Sequence, residues 1–338
     1  DPCFHPKRRP PSIMRNPPST LPEPAPAIGA HQKAAPGNAW IYLKLVLVAL
    51  MWGGTFVAGR TIAQQMPMAV AATLRYAVAV PVLLLIAWKM EGGLPRLTAR
   101  QAVTTFALGL TGIFIYNVCF FAALSRMPAG RTALFVALNP VVTALLLAIV
   151  LRERLRLGRW LGIAVAFLGA AVVITRGDLV LAWRDISASF GVGEAMMFCG
   201  VSSWAAYTII GRFSLRGLTP IAATTYATLW GWLLLAGGAA FEFDSFDPAV
   251  LDWQALAAIA YLGVFGTAIA LIWYYQGVKA IGPARTAVFN NLVPVFGVAL
   301  SAVLLSEPIL SSMVAGGALV IAGVTLTNRQ PLTPSRHT

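Results

Sequence analysis

The sequence predicts an all-α integral membrane protein with ten transmembrane helices, arranged as two inverted five-helix repeats. Three observations carry this. First, 58% of the 338 residues are hydrophobic and only 11% are charged, and the mean hydropathy is +0.74. A soluble domain carries roughly 25% charged residues, so this chain has too little polar surface to cover a globule in water, and a bilayer removes that requirement. Second, long apolar runs follow one another along the chain. Third, one phrase occurs twice, "RTALFVALNP" at 131–140 and "RTAVFNNLVP" at 285–294.

Residues 1–37 are basic and Pro-rich with no apolar period, which predicts a disordered tail. They lack the uninterrupted apolar stretch of a signal peptide. The chain does not begin with methionine, and Met14 is a candidate for the biological start. Ten apolar segments follow, at 40–62, 67–89, 101–124, 130–151, 157–175, 191–213, 220–241, 253–278, 284–305 and 309–327. Each can form a helix crossing roughly 30 Å at about 1.5 Å per residue. Breakers separate them, among them Pro67, Gly92-Gly93, Pro128, Gly158, Pro220, Pro248, Gly282-Pro283 and Pro308. The runs are continuous rather than alternating, which excludes a β-barrel pattern. Residues 328–338 form a short second tail.

The repeated phrase belongs to a longer duplication. Shifted by 154 positions, Leu108, Gly109 and Gly112 fall on Leu262, Gly263 and Gly266. Arg131, Thr132, Ala133, Phe135 and Pro140 fall on Arg285, Thr286, Ala287, Phe289 and Pro294. Glu153, Gly162, Ala164 and Gly169 fall on Glu307, Gly316, Ala318 and Gly323. Upstream, "WGGTFVAGR" at 52–60 pairs with "WAAYTIIGR" at 204–212. The period is too long for a solenoid, so the chain is a duplicated five-helix unit, with copies at 38–177 and 190–327.

An odd number of helices per copy inverts the second copy, and the charges test that. With the N-terminus inside, the inner loops and tails hold Lys89, Arg96, Arg100, Arg152, Arg154, Arg156, Arg159, Arg212, Arg216, Lys279, Arg285 and Arg329 as well as the tail charges. The outer side holds only Arg60, Arg126, Arg131, Arg176 and Arg184. The positive-inside rule requires such a bias. Locally, Arg152, Arg154, Arg156 and Arg159 of copy one become Ser306, Pro308, Leu310 and Met313 in copy two. The net charge of +13 is thereby explained by membrane orientation, and nucleic acid is not expected as a partner.

"WGGTFVAGR", "ATLRYAVAV", "GVGEAMMFCGVSSWAAYTIIGR" and the paired "ALNPVVTALLLAIVLRERL…GIAVAFLGAAVVI" and "NLVPVFGVALSAVLLSEPI…GGALVIAGV" resemble motifs of the EamA family of the drug/metabolite transporter superfamily. The resemblance covers about residues 40–327. It implies a ten-helix, two-repeat carrier that moves a small metabolite, often by exporting an amino acid or related compound. A bacterial inner membrane with both termini cytoplasmic is the expected location.

Several residues are candidates for the substrate path. Pro140 and Pro294 interrupt equivalent helices. Each lacks an N–H and clashes with the carbonyl four residues back, that of Val136 or Asn290. Arg75 is the basic residue near the centre of a span, flanked by Ala71, Ala72 and Ala79, and could receive a carboxylate or phosphate. Tyr76 adjoins it. Trp52 and Trp204 are repeat mates, and Trp204 with Tyr207, like Tyr226 with Trp230, shares a helix face. Tyr116, Asn117, Trp273, Tyr274, Asn139, Asn290 and Asn291 complete an amphipathic lining. Core packing is the alternative for each aromatic. Glu153 and Glu307 sit at span ends, where loop hydrogen bonds or gating suit them better than binding. Lys44 is expected to snorkel, and Glu194 is the nearest candidate proton carrier.

No cofactor or metal is expected. His5, His31 and His337 lie in tails, and no metal motif or buried acid pair suggests an intramembrane enzyme. Cys119 and Cys199 read as small core residues; with Cys3 they show no ligand spacing. A channel or a membrane scaffold are the other classes. Small residues such as Gly162, Ala166 and Ala170 support close helix contact without establishing a homodimer. The expected partners are a small-molecule substrate and the bilayer.

The charge bias places the 242–252 loop outside. A Ser245→Cys variant should react with an impermeant maleimide added to intact cells; reaction only after permeabilisation would invert the topology.

Overall fold

The computed structural model describes residues 39–151, 157–178, 190–214, 217–281 and 283–329. The tails at 1–37 and 330–338, Cys3, Met14, the three histidines, Arg152, Arg154, Arg156, Arg184, Arg216 and Glu153 lie outside them. Within the described residues the regular structure is entirely helical. Helices α1 (Ala39–Ala63) and α2 (Met68–Glu91) are continuous. Helix α3 (Ala99–Leu108) passes through a π-helical turn at Gly109–Ile115 into α4 (Tyr116–Leu124). Helices α5 (Ala129–Val136) and α6 (Asn139–Leu151) share one segment, and α7 (Leu157–Ile174) follows.

The second copy repeats the pattern. Helices α8 (Val192–Ser214) and α9 (Pro220–Glu242) are followed by α10 (Trp253–Ala260), a π turn at Tyr261–Ile269, and α11 (Ala270–Ile281). Helix α12 (Pro283–Val288) meets α13 (Leu292–Leu305) through a 3₁₀ turn at Phe289–Asn291, and α14 (Ser311–Arg329) ends the described chain.

Seven of these helical stretches are long and apolar enough to cross a membrane, and Ser311–Thr327 is a shorter apolar helix. Val103, Ile149, Val150, Val303, Leu304 and Val314 are exposed on their outer faces, a surface suited to hydrocarbon and not to water. Trp88, Trp160 and Trp253 are exposed near helix ends, where indole rings favour the membrane interface.

Backbone irregularities recur at equivalent places in the two copies. The π turns contain the repeat mates Gly109 and Gly263, and Gly112 and Gly266. The breaks between α5 and α6 and between α12 and α13 also correspond. At the first break the Ala137 and Leu138 amides donate to Leu134 and Phe135, three residues back, at 3.2 and 3.0 Å. Pro140 then stands in the first turn of α6, and Pro294 in the first turn of α13. There the missing N–H is one that a helix start leaves unbonded anyway. The expected kinks are therefore tight turns between two α-helical pieces, with helical dihedrals kept through the junction and proline in the first turn of the second piece.

Helices α7 and α14 pack backbone to backbone through small residues. A Cβ on Gly169 would lie 2.6 Å from the Gly316 carbonyl, and one on Gly316 would lie 2.6 Å from the Gly169 carbonyl. Gly162 and Gly323 oppose each other in the same way, at 2.8 and 2.6 Å. Gly162 and Gly316 are repeat mates, as are Gly169 and Gly323, so the contact is reciprocal between the copies. The small-residue stripe is thus used within one chain. Its close approach gains dispersion contacts that replace the missing hydrophobic drive in lipid. Cys119 is buried as expected, whereas Cys199 is exposed.

Gly169→Leu should force α7 and α14 apart and cost about 1–3 kcal/mol or more. Thermal melting of purified protein in detergent measures this; an unchanged midpoint would mean that the contact is dispensable.

Candidate functional site

Three helical stretches build a polar centre around Arg75. The arginine is 8% exposed, its neighbour Tyr76 4% and Asn117 1%, so these side chains face the protein interior and not lipid. The small residues Ala71, Ala72 and Ala79 on α2 are buried around it. Arg75 Nη1 donates to Asn117 Oδ1 at 3.0 Å, and Nη2 donates to Thr267 Oγ1 at a long 3.4 Å. The Asn117 amide nitrogen donates to the Tyr76 hydroxyl at 3.0 Å and to the Ile113 carbonyl at 2.7 Å. Ile113 lies in the π turn of copy one and Thr267 in that of copy two. The guanidinium also packs 5.3 Å from the Tyr76 ring centroid.

Arg75 Nε is buried and has no hydrogen-bond partner. Among the described residues Arg131 pairs with Glu194, at 2.9 Å, and no carboxylate pairs with Arg75. A lone cation at such depth costs roughly 2.5–3.5 kcal/mol on insertion scales. Its partners here are neutral dipoles.

Aromatic residues flank this centre. Tyr116 packs on Trp204 at 5.1 Å, and Trp204 on Tyr207 at 5.0 Å. On the other side Trp52 packs on Tyr274 at 5.4 Å, and the Tyr274 hydroxyl engages the Asn290 side chain. Trp52 Nε1 donates to the Gly266 carbonyl at 3.1 Å, and Ser203 Oγ donates to the Thr111 carbonyl at 2.8 Å. Each π turn thus has a carbonyl bonded by a side chain from the first helix of a repeat. Asn139 and Asn291 adjoin the helix breaks; Asn139 Oδ1 is buried without a partner. Asn290 is exposed in its break.

Other expected residues fall elsewhere. Tyr226 donates to the Pro95 carbonyl at 2.6 Å and so ties down the α2–α3 connection. Trp230 packs edge-on against Phe106 at 5.8 Å. Trp273 stands near Lys44, whose Nζ lies 5.8 Å from its ring centroid and donates to Gln276 Oε1 at 2.7 Å; the lysine is held by a partner and does not reach freely for the interface.

The carboxylates serve helix ends. Glu307 accepts from the Ala129 and Gly130 amides at 2.8 and 3.1 Å, capping α5 from the other copy. Glu242 accepts from the Ala69 amide at 2.8 Å and caps α2 likewise. A carboxylate suits a helix N-terminus through hydrogen bonds and the macrodipole together. Glu194 caps its own helix through Gly191, at 3.0 Å, while paired to Arg131.

Sequence reasoning missed Thr267, the π turns, the Glu242 cap and the Arg131–Glu194 pair. The glycine pairs Gly109/Gly112 and Gly263/Gly266 were the available signal for the π turns. The partners of the acids and of Thr267 lie far along the chain and left no local trace.

The EamA-like transporter family matches residues 39–175 and 191–329, one match per copy. The chain belongs to that family. The uncharacterized transporter YyaM of Bacillus subtilis is 33% identical over 84% of this chain and 92% of its own. A probable terminal-alkyne amino-acid exporter of Streptantibioticus cattleyicolor is 30% identical, covering 85% and 93%. A probable amino-acid metabolite efflux pump of Salmonella typhimurium is 28% identical, covering 82% and 91%. A solved structure at 19% identity aligns with a TM-score of 0.60 over 86% of this chain and 97% of that one, in agreement on the fold. This EamA-like chain is therefore an integral membrane protein of a transporter family, and at family level it is not an enzyme.

Asn117→Leu would leave both Arg75 Nη1 and the Tyr76 hydroxyl without their partner. Each orphaned group costs about 1–3 kcal/mol, so the variant's melting midpoint in detergent should drop sharply. A wild-type midpoint would show that the network reorganises at no cost.

Proposed function

We propose that this EamA-like protein is a secondary transporter that moves a small metabolite, an amino acid or related compound, out of the cell by alternating access. Ten transmembrane helices form two inverted five-helix repeats, with both termini cytoplasmic in a bacterial inner membrane. The path is lined by Arg75, Tyr76 and Asn117, by the aromatic groups of Trp52, Tyr116, Trp204, Tyr207 and Tyr274, and by Asn290.

One observation carries this reading: departures from regular α-helix, as π turns and tight turns, recur at matching places in both copies, within the apolar segments and around a buried polar centre. Irregular backbone at membrane depth is tolerated where protein buries it or where it lines a watery cavity, and repeat-related broken helices at a central site are the build of many carriers. The exporter names of two relatives support the direction and the substrate class. Glu307 and Glu242 tie helix starts of copy one to copy two and so would close one end of the path.

Reconstitution in proteoliposomes tests the reading: candidate amino acids should show saturable flux, blocked by unlabelled competitor. Non-saturating conductance would indicate a channel instead. In the same assay, Pro140→Ala with Pro294→Ala restores the two amide donors and lets each broken segment run on as one stiffer helix. Flux should fall several-fold while membrane insertion stays near normal. Full flux by the double variant would remove the breaks from the mechanism.

A further inference from the structure

We infer that Arg75 receives a carboxylate of the transported molecule on the edge formed by its Nε and Nη2 atoms. The inference rests on the transport reading above and names the substrate group that the polar centre takes.

The hydrogen bonds around Arg75 leave one edge of the guanidinium incompletely bonded. Nη1 is bonded to Asn117 Oδ1 at 3.0 Å. The Asn117 amide nitrogen is committed to Tyr76 and the Ile113 carbonyl, which fixes the carboxamide and, through it, the plane of the guanidinium. Nε is buried without a partner, and Nη2 has only the 3.4 Å contact to Thr267 Oγ1. Nε and Nη2 lie side by side on the guanidinium and carry parallel N–H groups, the fork that matches the two oxygens of a carboxylate. A lysine or a fully bonded arginine would not leave such a fork.

Charge selects the same group. The guanidinium is a buried cation with no anionic partner among the described residues. One carboxylate carries the single negative charge that pairs with the guanidinium. A phosphate dianion would leave an excess negative charge at the same depth, with the penalty that an unpaired buried charge carries. The Thr267 hydroxyl gives its proton to the Leu262 carbonyl at 2.9 Å, whereas the Tyr76 hydroxyl accepts from Asn117 and keeps its own proton to donate to a carboxylate bound there. Closure of helices α2 and α4 and the π turn at Tyr261–Ile269 around the bound group would exclude water and strengthen the pair.

The test compares acids with their amides, which keep shape and lose the carboxylate's negative charge; the amino-acid amides are thereby cations and phenylacetamide is neutral, so the phenylacetate pair separates loss of the carboxylate from gain of positive charge. Purified full-length protein in detergent is titrated with L-leucine and L-leucinamide, L-phenylalanine and L-phenylalaninamide, and phenylacetate and phenylacetamide, and melting shifts are converted to affinities. Wild type should bind at least one acid about tenfold or more tighter than its amide. Arg75→Gln should lose that preference, and Arg75→Lys should keep it at reduced affinity because the charge remains and the fork is gone. Equal binding of acids and amides by wild type, an undiminished preference in Arg75→Gln, or no binding of any acid would each overturn the inference. If Arg75→Gln does not fold, the wild-type comparison and Arg75→Lys decide. Proteoliposome flux separates this from the underlying reading. Saturable flux without acid preference would sink the carboxylate alone; acid binding at Arg75 without any flux would sink transport.

Discussion

In hydrocarbon every backbone N–H and C=O must find a partner within the protein, and the architecture follows from that constraint. It forbids strands with open edges and leaves helices as the element. It also makes each departure from regular helix costly, so departures survive only where side chains answer for the freed groups. Trp52 bonds the Gly266 carbonyl, Ser203 bonds the Thr111 carbonyl, and Asn117 bonds the Ile113 carbonyl. All three acceptors lie in the π turns. Asn117, one of the side chains that bond this backbone, also builds the polar centre. Irregular backbone and candidate site are therefore one structure, seen from the main chain or from the side chains.

The same constraint governs the acids. A helix start presents unbonded amides, and Glu307 and Glu242 satisfy two such starts from the opposite copy. Arg131 and Glu194 neutralise each other between α5 and α8. Nε is buried without a partner in Arg131 and Arg75 alike, but Arg75 stands apart in having no counter-charge among the described residues: its other donors meet a carboxamide and a hydroxyl. Arg131 and Glu194 have each other as counter-charges, and the counter-charge of Arg75 is what the proposed substrate carboxylate would supply.

Much of the fold was legible because membrane helices announce themselves by composition and the duplication, gapless from Leu108 onward, preserves register. The helix breaks were legible as Pro140 and Pro294, since proline acts locally. Arg75, Tyr76 and Asn117 were recognisable one by one, as polar groups at depth, and the structure joined them. What could not be read was pairing at long range. Thr267 is an ordinary residue in an apolar run until the π turn brings it to Arg75. Glu242 looked like part of an acidic external loop, and only packing reveals it as a cap. Tyr226 shows the same limit: its type suggested the path, and its bond to the Pro95 carbonyl left no mark in the sequence.

The duplication also separates frame from lining. The elements that recur are those of the frame: the π turns, the breaks, and the reciprocal contact of Gly162 and Gly169 with Gly323 and Gly316. The polar centre does not recur. Shifted by 154 positions, Asn117 falls on Leu271, and Thr267 falls back on Ile113; by the 152-position offset of the first helices, Arg75 falls on Ala227. A symmetric frame gives two conformations related by exchange of the copies, and these need differ little in free energy, as a carrier's two end states must if each is to be populated. A symmetric lining is under no such requirement. One guanidinium at the junction of the copies suffices, because the cargo it would hold is a single small molecule and the helices on either side, α2 and α4 from one copy and the π turn from the other, are those that would move past each other around it.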